Sequence, residues 1–182
     1  MNLNPTLWRT CRILAGKTRL SLLRRILKQP GQTVSQLAEA EGISLPRASQ
    51  ELRRLQSRGL LKAERSGLFV KYHPIPDPQV LSAKPLLQAM REMFARFPPA
   101  TDELGIMMAA GFSHARRIAI VRVLQKGPGD IHALRLAVRM PIRSLSYHLR
   151  LLQKGGWIQR GGTAWELAPN DYPLAKCLRR LL

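Results

Sequence analysis

The sequence predicts a mainly α fold with small β-hairpins, built from one module written twice. Three observations carry that expectation. The stretch SLPRASQELRRLQSRGLL at 44–61 is followed, 97 positions later, by PIRSLSYHLRLLQKGGWI at 141–158. Six of the eighteen aligned positions are identical: Ser49/Ser146, Leu52/Leu149, Arg53/Arg150, Leu55/Leu152, Gln56/Gln153 and Gly59/Gly156. Around both stretches, apolar residues recur at helical spacing and give way to short segments centred on glycine. The charge repeats as well. Residues 1–76 hold 14 basic and 4 acidic groups and residues 113–182 hold 13 and 3, so two blocks of +10 flank a 77–112 middle of −1.

At 182 residues and 45% hydrophobic content, the chain has room for one large core or two small ones. Its net charge of +19 is costly to confine in a compact chain unless a polyanion is the partner. Because the charge is spread through patterned sequence, a basic tail, an import signal or a membrane-surface patch explains it poorly. Cys11 and Cys177 stand alone without a CxxC pair, which suits a reducing compartment. The start MNLNPTLWRT has no basic-then-apolar leader, and the longest apolar run, Ile106–Phe112, is too short to span a bilayer. The expectation is a cytoplasmic protein with no membrane partner.

In the first copy, Leu20, Leu23, Ile26 and Leu27 mark a helix that KQPG at 28–31 ends. Thr33 starts a second, with Gln36 placed for a capping box and Val34, Leu37 and Ala38 inward. Gly42 closes it, Ile43 packs the turn, and Ser44 caps a third helix whose buried stripe is Leu45, Ala48, Leu52 and Leu55. Gly59 stops that helix. LLKAERSGLFVKYHPI then reads as two apolar-rich strands around a two-residue turn at Ser66-Gly67. Helix, helix, turn, helix, hairpin is the winged-helix order.

The second copy repeats the script. Arg116–Leu124 makes a helix, QKGPG breaks it, and Asp130 caps the next. Pro141 stands at a helix start, where proline is tolerated. Ile142, Leu145, Leu149 and Leu152 form the inward stripe, Gly155-Gly156 ends it, and WIQRGGTAWEL supplies a shorter hairpin around Gly161-Gly162. Helices at Pro5–Ala15 and Thr101–Gly111 precede the modules, and helices at Pro78–Phe97 and Tyr172–Leu182 follow them. The expected division is 1–76 for the first module with its leading helix, 77–100 for a linking helix, and 101–182 for the second module.

LWRTCRILAGKTRLSLLRRIL, followed by TVSQLAEAEGISLPRASQELRRLQSRGLL and a wing, resembles the ArsR-type transcriptional regulators, as does RSLSYHLRLLQKGGWI in the second copy. Those proteins are usually single-module homodimers whose first and last helices form the dimer layer. The resemblance therefore implies a dimer fused into one chain. Two tandem winged helix-turn-helix modules would form an intramolecular pseudo-dimer, monomeric as a chain, that binds double-stranded DNA sequence-specifically and regulates transcription, most simply as a repressor.

With Ala48, Leu52 and Leu55 inward, the opposite face of the third helix carries Arg47, Gln50, Arg53 and Arg54, with Ser44 and Ser49 near its edges. Arginine reads guanine and glutamine reads adenine through paired hydrogen bonds. Residues near a recognition helix's N-terminus reach bases, so Arg47 and Gln50 are assigned to bases and Arg53 and Arg54 to phosphates. The second copy shows Arg143, Ser144, Tyr147 and Arg150 there, with Ser146 and His148 alongside. Wing contacts are expected from Arg65 and Lys71, and from Arg160 in the second hairpin. Leu151 stands in place of Arg54, and Arg139 stands where Gly42 turns the first copy, so the second copy is expected to bind more weakly or read a different half-site.

Other chemistry finds little support. Gly16-Lys17-Thr18 resembles the end of a phosphate-binding loop, but position 11 is Cys where that loop needs Gly. Metal sensing requires clustered ligands, whereas 33–41 has no cysteine and His73, His114, His132 and His148 are scattered. No catalytic group, metal site or cofactor is assigned. Cys11 and Cys177 are taken as small hydrophobes. Met90, Met93, Met107 and Met108 are core filler that leaves open an unidentified small effector. A protein-interaction scaffold and an RNA-binding module are the alternatives. The 5% aromatic content argues against RNA, since RNA readers stack bases on exposed aromatics.

Overall fold

A computed structural model describes residues 6–182 of the chain, which form helices and small antiparallel sheets in two compact units. The first unit is built on Gly16–Glu103 and the second on Leu7–Ala15 with Leu104–Leu182. The leading helix, expected with the first module, thus packs within the second unit. Its expected first residue, Pro5, lies outside the described residues. Among the described residues no helix is long and apolar enough to cross a membrane.

In the first unit, α2 (Lys17–Lys28) buries Leu20, Leu22, Leu23 and Ile26. The short helix α3 (Val34–Ala40) starts on the expected capping box, in which the Thr33 side chain accepts from the Gln36 amide and the Gln36 side chain accepts from the Thr33 amide. Gly42 turns the chain at a φ of +61° into α4 (Leu45–Gln56). The buried stripe of α4 is Ala48, Glu51, Leu52 and Leu55. Gly59 leaves that helix at a φ of +69°, where a Cβ would lie 2.9 Å from side-chain atoms of Asp77 and Val80; only glycine fits.

The hairpin is β2 (Lys62–Ser66) with β3 (Phe69–His73), and β1 (Gln32–Thr33) adds a third strand, in the order β1-β3-β2. Sequence reading misses β1, because two residues are too short to show a period. Tyr72, on the central strand, is buried against the core. After the hairpin, the Asp77 carboxylate accepts from the Gln79 amide and holds 77–80 in a turn. For that reason α5 (Ala83–Arg96) begins later than the expected Pro78. It ends before Pro98, which drives Phe97 to an extended conformation.

In the second unit, α6 (Asp102–Gly111, of which the last eight residues belong here) leads to α7 (Ala115–Leu124), α8 (Ile131–Val138), α9 (Ile142–Lys154), β4 (Ile158–Gly161), β5 (Ala164–Leu167) and α10 (Pro173–Arg180), with α1 (Leu7–Leu14) packed alongside. Asp130 caps α8 by accepting from the His132 and Ala133 amides. Gly129 bridges to Trp165 as β1 bridges to Tyr72 in the first unit. Trp157 anchors the core. Its ring stacks on Phe112 at 3.9 Å, and its Nε1 donates to the Met108 carbonyl at 2.9 Å. Gly111 lets it approach, since a Cβ there would lie 2.3 Å from the indole. The spans of α2, α3 and α4 recur 97 positions later as α7, α8 and α9, within two residues at each end.

Several local expectations are corrected. Leu45 and Ile142, placed in the buried stripes, are 51% and 43% exposed. Each is the first residue of its helix and overhangs the packed surface. The strand register pairs Ser66 with Phe69 and Gly161 with Ala164, so the turns are Gly67-Leu68 and Gly162-Thr163, one residue later than expected. The residues that need positive φ, Gly67 and Gly162, thereby take the first turn position. The strand β2 is polar and largely exposed rather than apolar-rich. Ser44 occupies the N-cap position of α4, but its side chain makes no capping bond.

Candidate nucleic-acid interface

In the first unit, α4 presents a cationic face because its other side is fixed by burial. Arg47, Gln50, Arg53 and Arg54 are exposed opposite Ala48, Leu52 and Leu55, and Ser44 is exposed at the entry. Ser49 is half-buried. The expected face is therefore present, with one qualification at Arg54. Its Nη1 donates to the Glu51 carboxylate at 3.0 Å, while Arg19 from α2 donates to the other oxygen at 2.7 Å. Burial pushes the Glu51 carboxyl up, but the Arg19 hydrogen bond and charge, then those of Arg54, outweigh it and hold the group below its ordinary range. Glu51 thus remains an anion that locks α4 onto α2 and engages part of the Arg54 charge.

The hairpin does not bring its two expected contacts onto one face. Arg65 pairs with Val70 and shares the face of Tyr72, whereas Lys71 pairs with Glu64 and lies on the opposite face. Lys71 is also half-buried between Thr33 and Glu64 in the central strand. At the tip Leu68 is 99% exposed, beside an exposed Phe69.

In the second unit, α9 exposes Arg143, Ser146, Tyr147 and Arg150 opposite Leu145, Leu149 and Leu152. Ser144 is half-buried and accepts from Arg116 at 3.3 Å. Arg160 is exposed, with its guanidinium 4.6 Å from the Trp165 ring centroid.

His148 is a correction: at 5% exposure it belongs to the interior. Its position corresponds to Glu51 across the 97-residue offset, so the repeat itself carries the signal. The imidazole packs 4.9 Å from His114, and its Nδ1 is buried without a hydrogen-bond partner. Burial, then the charges of His114, Arg117 and Arg116, lower its pKa to about 4, so it is neutral at physiological pH. Arg116 is the residue that sequence reading overlooks. It corresponds to Arg19, but with His148 in place of the acid it stays exposed and reaches the edge of the α9 face. Its neighbour Arg117 is buried and serves the fold, donating to the Gly111 and Ala110 carbonyls that end α6.

Residues 17–62 match the family described as winged helix-turn-helix DNA-binding. The match runs through α2, β1, α3 and α4 to the first residue of β2, and so includes the whole exposed face of α4. This segment is thus similar to winged helix-turn-helix domains that bind DNA. No curated protein matches the chain significantly.

Proposed function

We propose that the chain is a sequence-specific regulator of transcription, most simply a repressor, that reads double-stranded DNA with two helices, α4 and α9. The observation that carries this reading is the face of α4. Arg47, Gln50 and Arg53 stand exposed over a buried apolar stripe, inside the segment that matches a DNA-binding family. Arg47 and Gln50, in the N-terminal half of α4, reach base edges, while Arg53 and the free part of Arg54 reach phosphates. Arg65 or Lys71 contacts the backbone from the hairpin.

The second unit is read as a second winged helix, supported by the recurrence of three helix spans at one offset and by the Gly129–Trp165 bridge. Arg143, Tyr147 and Arg150 then form its reading face, with Arg116 as an added phosphate contact. Two such helices would enter major grooves about one helical turn apart, roughly 34 Å, if the units pair as the subunits of an ArsR-type dimer do. One chain would then be a complete reader, and its two unlike faces would select two unlike half-sites.

Salt dependence tests the reading. With six to ten phosphates neutralised, log affinity for a duplex should fall against log salt with a slope of roughly −5 to −9. A slope near zero removes DNA as the partner.

A further inference from the structure

We infer that the groove between α2 and the C-terminal half of α5, in the first unit, is a binding site for a small aromatic carboxylate. The inference does not depend on how the chain reads DNA. The cavity measures about 710 Å³, within the roughly 300–1,000 Å³ usual for small-molecule sites. Two helices build it in the same way. Arg24, Leu27 and Lys28 line it from α2, and Arg91, Phe94 and Ala95 line it from α5, each set at the i, i+3, i+4 spacing of one helical face. Phe97, Pro98 and Pro99 close one end.

The lining is apolar along the wall and cationic at the rim. Four of its ten residues are Arg or Lys, and none is acidic. Arg24 is already committed. It pairs with both Asp102 oxygens, donates to the Phe94 and Phe97 carbonyls at 3.2 and 3.1 Å, and lies 4.1 Å from the Phe94 ring centroid. It therefore fixes the wall rather than recognising a ligand. The other three cations, Lys28, Arg91 and Arg96, are exposed, and among the described residues none is in an ion pair. Arg91 places one donor on the Pro74 carbonyl at 3.3 Å.

These features select by exclusion. A cation is repelled by the rim, and inorganic phosphate leaves the Leu27, Phe94 and proline wall unused. A neutral hydrophobe fills the wall and makes no use of the Lys28, Arg91 and Arg96 charges at the rim. An aromatic body with a carboxylate uses both, packing against the Leu27, Phe94 and proline wall while its head meets Lys28, Arg91 or Arg96.

The probe is 1-naphthoate, titrated into the full chain by calorimetry and followed in the methyl NMR spectrum. Saturable one-site binding should shift the Leu27 and Ala95 methyls, and 1-naphthylmethanol, the neutral analogue, should bind about tenfold more weakly. The Lys28→Glu/Arg96→Glu double variant should lose about tenfold, while Lys126→Glu/Arg135→Glu, which changes net charge equally in the second unit, should lose nothing. Ala95→Trp, which fills the groove, should abolish binding while leaving the circular dichroism spectrum unchanged. Absence of saturable binding, shifts confined to other methyls, or equal losses in the two double variants would overturn the inference.

Discussion

Glu51→Gln is the sharpest single probe of how α4 is held. Glu51 is 7% exposed and accepts from Arg19 at 2.7 Å and from Arg54 at 3.0 Å. The Arg19 pair is nearly desolvated, with side chains 17% and 10% exposed, so its charge-assisted bond is worth about 1.5–3 kcal/mol. The Arg54 side chain is 43% exposed, and solvent screening reduces its pair to about 0.2–1 kcal/mol. Glutamine keeps the shape and one acceptor, so the expected loss is about 2 kcal/mol. Urea unfolding of both proteins at pH 7, read by circular dichroism, measures it. The pH dependence fixes the cause. Because the folded-state pKa of Glu51 is lowered, its contribution is whole above the ordinary value of 4.5 and is lost as pH falls through the lower folded value. The gap between wild type and variant should therefore hold constant from neutrality down to mild acid and close below it. Equal stabilities at pH 7, or a gap undiminished near pH 3, would refute the argument. Binding supplies an independent sign, since releasing Arg54 adds a cation to α4 and should steepen the salt slope by up to about 0.9.

Two further outcomes follow from named side chains. Arg47→Ala should cost about 1–3 kcal/mol of binding to a selected site and relax preference at one base position, measured by competition with single-base variants of that site. His148, with a folded pKa of about 4 against an ordinary 6.5, makes the second unit most stable above pH 6.5 and progressively weaker between 6.5 and 4, by roughly 3 kcal/mol in all. Above that window both states hold it neutral, and below it both hold it charged. His148→Leu should flatten this part of a pH–stability curve followed by tryptophan fluorescence, since Trp8, Trp157 and Trp165 all lie in the second unit.

What was legible in the sequence depended on period and on chemistry with a fixed address. Helical spacing gave α2, α3 and α4, and the Thr33 and Asp130 caps were readable because capping needs a particular side chain at a particular offset. The exposed Arg47, Gln50, Arg53, Arg143 and Arg150 followed from the buried leucines opposite them. Failures came where a position's burial is set by a neighbour distant in sequence. Glu51 is interior because Arg19 answers its charge, and that pairing leaves no local trace. His148 sits at the equivalent position, so a residue that reads as polar surface is enclosed. The strand β1 and the one-residue shift of each turn escaped because pairing register is decided between segments. The packing of α1 within the second unit escaped for the same reason.

The central claim, two unlike DNA-reading helices in one chain, is tested most directly by selecting bound duplexes from a random pool. One recovered site with two different halves, centred about 10 base pairs apart (one helical turn), is the expected result. Recovery of a single short half, unaffected by Arg143→Ala, would leave α9 outside the interface and contradict the claim.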